Sequence, residues 1–190
     1  MSNEVVLDLE TQNSFAQARS TSDGKLKISL VGIYSYANDS YQAYLESELT
    51  DLWPILEHAD RIIGFNIHGF DFPVLQPYYP GQLKKFNSLD ILDEIADELG
   101  FRVSLDSVAQ GTLTSAKTGD GLQAIKLWRE NRIDELKEYC LQDVKLTQEI
   151  YEYGKKNGHL KYINKLGAGE VKVNFSLLKE RHQVNLTLPI

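Results

Sequence analysis

The chain has a single cysteine, Cys140, in 190 residues. That excludes an internal disulfide and any cysteine-rich zinc site. Histidine is nearly as scarce, and the four present, His58, His68, His159 and His182, lack the spacing of a metal-binding set. Soft-metal chemistry is therefore not expected. No apolar run approaches the roughly 18 residues of a membrane span. The N-terminus is acidic and soon polar, not basic and then apolar as in a secretory leader, so the expected location is cytoplasmic. There is no internal repeat and no low-complexity segment.

Positive charge is also in short supply, with a formal net charge of −7. This disfavours a broad nucleic-acid-coating surface, although the total counts carboxylates that a bound cation would neutralise. Residues 151–190 run the other way, with seven lysines and arginines against three acids. This locally basic tail either offers phosphate contacts, through Lys155, Lys156 and Lys161, or only completes the fold. At 42% hydrophobic and 25% charged residues, the composition is that of a globular chain able to fill one core.

Residues 4–9, 25–36 and 40–46 alternate or run apolar like strands, and a polar loop containing Ser20 to Gly24 separates the first two. Three successive strands suggest a meander. "TDLWPILEHAD" reads as a short helix with Thr50 as N-cap and Pro54 in the first turn. "RIIGFN" reads as a buried strand, "FDFPVLQPYY" as a broken helical turn, and "SLDILDEIADELG" as an extended segment feeding a helix that Gly100 ends. A Gly/Thr/Ser-rich loop at 111–121 precedes two helices, "LQAIKLWREN" and "IDELKEYCLQDVKLTQEIYEYG", the second closed by Gly154. "HLKYIN" and "EVKVNFS" then form a hairpin about Gly167 and Gly169. The expected organisation is one domain over residues 1–155, with 156–190 an extension belonging to the same compact unit.

Three acidic signals stand out. Asp8 and Glu10 interrupt the apolar run "VVLDLET", and residues i and i+2 of a strand share a face, so both point to one spot. An unpartnered buried carboxylate is costly; either the strand surfaces at Asp8, or something compensates the pair. Asp71 follows a second apolar strand in "IIGFNIHGFDFPVL", where capping a helical turn is the simpler role. In "YCLQDVKLT", Leu136, Cys140, Val144 and Thr147 form the core stripe of a helix, with Tyr139 and Asp143, four apart, stacked beside it. Other features read as structural. "GTLTSAKT" departs from a phosphate-binding P-loop at Ala116. Trp128, Ile125 and Leu122 share the spacing of a core face, and His68 reads as an exposed loop residue.

Taken in order, Asp-x-Glu on the first strand, Asn-x-x-x-Phe-Asp after a later strand, and Tyr-x-x-x-Asp on a late helix resemble the three exonuclease motifs of the DEDD superfamily, in its tyrosine subclass. The likeness spans roughly residues 4–155 and is nearest to ribonuclease H-like exonuclease domains found alone or attached to helicases. It implies an α/β, ribonuclease H-like fold with a mixed five-stranded sheet flanked by helices, and 3′-to-5′ exonuclease activity on the 3′ end of single-stranded DNA or RNA. A helicase is an implied partner. Carried over by motif, Asp8, Glu10, Asp71 and Asp143 would be metal ligands and Tyr139 would orient the attacking water. Asn66, Thr11 and Lys117 are candidate substrate contacts, and Asp90 in "SLDIL" is read as a cap. Oxygen ligands without Cys or His select hard ions, so two Mg²⁺ are expected, with Mn²⁺ as substitute. A non-cleaving binding module and an endonuclease on the same fold are the alternatives.

Overall fold

The computed structural model describes residues 3–18, 25–113, 121–165 and 167–175. The expected loop at Ser20 to Gly24, and Lys117, lie outside the described residues.

The sheet is built around β1 (Glu4–Thr11), whose two faces are both covered. It pairs antiparallel with β2 (Ile28–Ser35), which follows the short helix α1 (Phe15–Ala18), and β2 pairs antiparallel with β3 (Ser40–Leu45). This is the expected meander. On its other side β1 runs parallel to β4 (Arg61–Gly64), reached through helix α2 (Leu49–His58), and β4 runs parallel to β5 (Ser88–Asp90). The order is β3-β2-β1-β4-β5, a mixed five-stranded sheet. Between β4 and β5 lie a single π-helical turn, Ile67–Asp71, and α3 (Phe72–Leu75). Helices α4 (Ile91–Leu99), α5 (Leu105–Leu113), α6 (Gly121–Arg129) and α7 (Ile133–Asn157) follow. A hairpin of β6 (His159–Asn164) and β7 (Gly167–Lys172) comes last.

Alternation along β1 decides what each face meets. Val5, Leu7 and Leu9 join Leu52, Trp53 and Leu56 of α2 and Phe72, Val74 and Leu75 of α3 in one core. Val6, on the opposite face, joins Ile91 and Ile95 of α4, Val108 of α5, and Val144, Ile150 and Tyr151 of α7. Asp8 and Glu10 share Val6's face and so point toward α7.

Several local expectations are corrected. Thr50 does not cap α2, because a 3₁₀ turn at Glu46–Glu48 leads straight into the helix, with the Glu48 side chain accepting from Leu45 N at 2.8 Å. Pro54 therefore sits inside the helix and not in its first turn. The loop expected at 111–121 is corrected at both ends, since Gly111 to Leu113 belong to α5 and Gly121 to α6; residues 114–120 lie outside the described residues. A Cβ on Gly111 would lie 2.7 Å from Tyr162 backbone atoms, so this glycine admits β6 against the helix. The Thr112 hydroxyl secures the same contact, donating to Lys161 O at 2.8 Å and accepting from Lys161 N at 2.9 Å. Gly154 does not end α7 either. The helix continues to Asn157 and stops at Gly158, which is left-handed with φ 72°, while a Cβ on Gly154 would come within 2.3 Å of the Phe175 ring. Gly169 lies within β7 instead of the hairpin turn, and Leu122, expected in the core, is 66% exposed.

The start of β1 is anchored by buried charge. Glu4 accepts from Arg61 Nε at 2.9 Å and from the Tyr151 hydroxyl at 2.9 Å, while Arg61 Nη1 donates to Phe175 O at 2.8 Å. Burial alone would raise the Glu4 pKa, but Arg61, Tyr151 and Lys155 together hold it below the usual value. Lys155 Nζ stands 3.4 Å from Glu4 Oε2 and over the Tyr151 ring. This lysine of the basic tail is thereby committed to the end of β1 opposite Glu10, a separation of about 20 Å at ~3.3 Å per strand residue.

Candidate active site

The acids of β1 and α7 meet because one strand residue has no side chain. Asp8 pairs across the sheet with Gly32 of β2, and a Cβ there would lie 2.8 Å from Cys140 Sγ and 3.0 Å from Val144 Cγ2. Without one, α7 settles directly on β1 and β2. Cys140 Sγ reaches to 3.7 Å from Asp8 O and 3.8 Å from Asp8 Oδ2. Asp143, one turn nearer the helix end, comes with it. Carboxylate oxygens of Asp8, Glu10 and Asp143 all lie within 4.8 Å of one another. Glu10 and Asp143 are buried, while Asp8 is half-buried.

Asp71 arrives from the other side of the sheet through the π-helical turn. Asn66 opens that turn in a left-handed conformation, φ 70°, which asparagine tolerates better than most residues. The turn is tied down by Asp90, whose Oδ1 accepts from Asn66 N at 2.7 Å and Oδ2 from His68 N at 2.9 Å. Oδ1 also accepts from Leu92 N at 3.0 Å, so Asp90 caps α4 as expected and additionally fixes the turn that carries Asp71. The Asn66 carbonyl accepts from Phe70 N at 2.9 Å, one residue before Asp71.

Asp71 is 3% exposed, and its Oδ1 has no hydrogen-bond partner among the described residues. Burial pushes its pKa well above the usual carboxylate range, and Asp8, Asp90 and Glu10 push the same way. The neighbouring charges that raise it are all negative. The buried Cys140 thiol is raised for the same reasons, by burial first and then by Asp8, Glu10 and Asp143. Asp8, Glu10 and Asp143 converge, and Asp71, with an orphaned buried oxygen, lies outside that group but near enough for Asp8 and Glu10 to act on its charge; together they offer a hard, oxygen-only donor set. Divalent cations would fit it: they would neutralise the repulsion and could give Asp71 Oδ1 a partner. A second acidic group, His68 with Asp90 and Asp93, does not have this character, because both Asp90 oxygens already accept backbone N–H groups.

Tyr139 precedes Asp143 by one helical turn and is buried, hydroxyl oxygen included, among Leu30, Ala124, Leu127 and Leu136. It lines an open cleft of about 690 Å³ between α6 and α7, together with Leu122, Lys126, Arg132 and Gln142. The Thr11 side chain is buried at a bulge in the β1–β2 pairing, where its hydroxyl donates to Asn13 O at 2.8 Å. The Asn66 side-chain oxygen Oδ1 accepts from Arg102. His68 is exposed, as expected, but engaged, Nδ1 at 2.7 Å from Asp93 and Nε2 at 2.9 Å from Ser88. Sequence reasoning overlooked Gly32 and Arg102. A glycine inside the apolar run "ISLVGIYS" was a usable signal for the first; the second left none.

This architecture has relatives. A model of the RNase_H superfamily, RNase_H_2, matches residues 5–154. No curated protein matches the chain. Among solved structures, the family B DNA polymerase of the hyperthermophilic archaeon Pyrobaculum calidifontis is similar over 81% of this chain, with TM-score 0.60 and 17% identity. The RNase D of Trypanosoma brucei is similar over 80% of it, with TM-score 0.54 and 17% identity. The chain spans 24% of that polymerase and 57% of that RNase D. At this identity the two neighbours bear on the fold alone, whereas the superfamily match runs from β1 through most of α7, across every element that supplies an acid to the site. The chain is a member of the RNase H superfamily.

Proposed function

We propose that this chain is a divalent-metal-dependent 3′-to-5′ exonuclease of the DEDD superfamily's tyrosine subclass, acting on single-stranded DNA or RNA. The observation that carries the reading is the convergence of Asp8, Glu10 and Asp143, with a buried Asp71 whose pKa is raised first by burial and then by the Asp8 charge. A module that only bound nucleic acid would gain nothing from four like charges repelling one another and the phosphate backbone. The names of the structural neighbours, a DNA polymerase and an RNase D, are consistent with a nucleic-acid substrate. Neither the fold nor the comparisons support a helicase partner.

Asp8, Glu10, Asp71 and Asp143 would hold the cations, with Mg²⁺ favoured and Mn²⁺ as substitute. Two divalent ions bound there would supply Lewis-acid charge on both sides of the scissile phosphodiester and lower the pKa of the attacking water. The water's oxygen bonds to phosphorus and the bond from phosphorus to the 3′ oxygen breaks. The 3′ oxygen takes up a proton, leaving a shortened strand and a nucleoside 5′-monophosphate. Tyr139 positions the water by a hydrogen bond, because a phenol of ordinary pKa near 10 stays protonated at neutral pH and is a poor base. Asn66 steadies the strand. Residues 1–155 form the nuclease unit, and the hairpin after it belongs to the same body, through its contacts to α5 and α7.

The test is direct. The protein is incubated with 5′-labelled single-stranded DNA and RNA of equal length in Mg²⁺ or Mn²⁺. The reading expects a ladder descending from full length with mononucleotide products. Long fragments without mononucleotides would make it an endonuclease, and intact substrate would leave the site without this activity.

A further inference from the structure

Arg102 follows α4 in an exposed segment, and nothing in its sequence surroundings marks it. Its guanidinium nevertheless donates from Nη2 to Asn66 Oδ1, with Nη1 3.9 Å from Asp93 Oδ1. The chemistry of this contact fixes an orientation. A guanidinium has five N–H donors and no acceptor, so the Asn66 atom facing it must be the carbonyl oxygen. The Nδ2 amide, with two N–H donors, is therefore turned away from Arg102. Room for the pair comes from Gly69, where a Cβ would lie 2.5 Å from Asn66 Oδ1 and 3.8 Å from Arg102 Nη2. The Asn66 main chain is held separately, by Asp90 Oδ1 on its N–H and by Phe70 N on its carbonyl. Arg102 thus governs only the side-chain amide.

We propose that Arg102 is a positioning residue: it locks the Asn66 side-chain amide with both N–H donors presented to the nucleic-acid strand, where they grip a phosphate oxygen. The inference rests on the exonuclease reading of the same site. A phosphate oxygen is the fitting ligand because it is an acceptor only and recurs at every nucleotide, so a donor pair can hold a strand without reading its bases. At 56% side-chain exposure, Arg102 can be replaced without opening the core.

Three variants separate the possibilities. Arg102→Met keeps the aliphatic stem and removes the donors, Arg102→Lys restores one donor, and Asn66→Gly deletes the amide while suiting φ 70°. Steady-state hydrolysis of a single-stranded oligonucleotide in Mg²⁺ is measured for each, with melting temperature as the folding control. Arg102→Met should raise KM roughly 3- to 10-fold, about the loss of one hydrogen bond, with kcat nearly unchanged, as expected when uniform binding is lost. Arg102→Lys should recover most of that loss. Asn66→Gly should raise KM at least as much, and adding Arg102→Met to it should change nothing further. Additive effects in the double variant would overturn the inference. So would a slope of log KM on log salt that falls by about 0.7 in Arg102→Met, the signature of a lost direct phosphate contact. An unchanged KM in Arg102→Met, with an active wild type, overturns the inference and leaves the exonuclease reading intact. A wild type that hydrolyses no oligonucleotide overturns the reading and the inference with it.

Discussion

Gly32 and Cys140 meet across the β2–α7 contact with no space for a methyl group between them, since a Cβ on the glycine would stand 2.8 Å from the thiol sulfur. Because Gly32 is the cross-strand partner of Asp8, the same contact sets how far Asp143 stands from the β1 acids. Gly32→Ala should push α7 outward, at a cost of about 1–3 kcal/mol for overpacking. Its effect on the site should exceed its effect on stability. Mn²⁺ affinity measured by calorimetry should fall at a temperature where the variant is still fully folded. Unchanged affinity would detach the helix–sheet spacing from the metal site.

Removing an acid should have the opposite effect on stability. Asp143→Asn takes one negative charge out of a cluster that is self-repelling without metal, so its metal-free melting temperature should equal or exceed that of wild type. On the proposed reading Mn²⁺ binds the folded state, so it should raise the wild-type melting temperature by mass action and should scarcely move an Asp8→Asn/Asp143→Asn double variant. Both the single variant and the chelated wild type should be inactive on oligonucleotides. An equal thermal shift in wild type and double variant would show that these acids do not share a site.

The raised pKa of Asp71 has a pH consequence in the metal-free protein. An unfolded Asp71 releases its proton near 3.8, whereas in the folded chain burial, followed by Asp8, holds the proton to higher pH. The folded state therefore binds more protons between those two values, and stability must fall as pH rises through that interval. Glu4 works in the reverse sense: its folded pKa is depressed, so its contribution is present above 4.5 and lost as pH falls below it. A chelated sample scanned upward from about pH 5 avoids the Glu4 window. Its melting temperature should decline as pH rises, and Asp71→Asn should flatten that decline. Asp90, raised by burial as well, leaves a residual slope. An identical slope in Asp71→Asn would mean that Asp71 ionises normally. Metal competes with the retained proton, so the wild-type decline should vanish in saturating Mn²⁺.

What the sequence revealed, and what it hid, follows from the range of each interaction. The sheet order from β3 to β1 was legible because the meander is local and its apolar runs are bounded by polar turns. The shared face of Asp8 and Glu10 was legible because strand alternation is fixed by the backbone. The ends of α2 and α7 differ from the local reading for two reasons. Thr50, Pro54 and Gly154 have strong local preferences, but competing structure decided their places: a preceding 3₁₀ turn that runs into the helix ahead of Thr50, and, at long range, the Phe175 ring against Gly154. The roles of Gly32, Asp90 and Arg102 depend on partners 108, 24 and 36 residues away. No local pattern encodes such distances, although the lone glycine in β2 pointed to a close approach.

Tyr139 gives the sharpest test of the chemistry. It lies one helical turn before Asp143 and borders the open cleft between α6 and α7, with its ring packed against Leu30 and Leu136 and its hydroxyl oxygen buried, so a water that it holds must reach it at the cleft wall. Tyr139→Phe removes one oxygen and leaves the packing ring in place. Melting temperature and Mn²⁺ affinity should therefore stay close to wild type. Single-turnover cleavage at saturating Mg²⁺ should slow by about 10- to 1000-fold, at or below the span of a lost acid–base group. The pH profile provides a second readout. If the phenol only holds the water, the variant should keep the wild-type profile at a lower rate, because the ionisation that controls the rate belongs to other groups. If it were the base, the rise in rate with pH would disappear. A wild-type rate in Tyr139→Phe would reduce the residue to packing and remove the case for the tyrosine subclass.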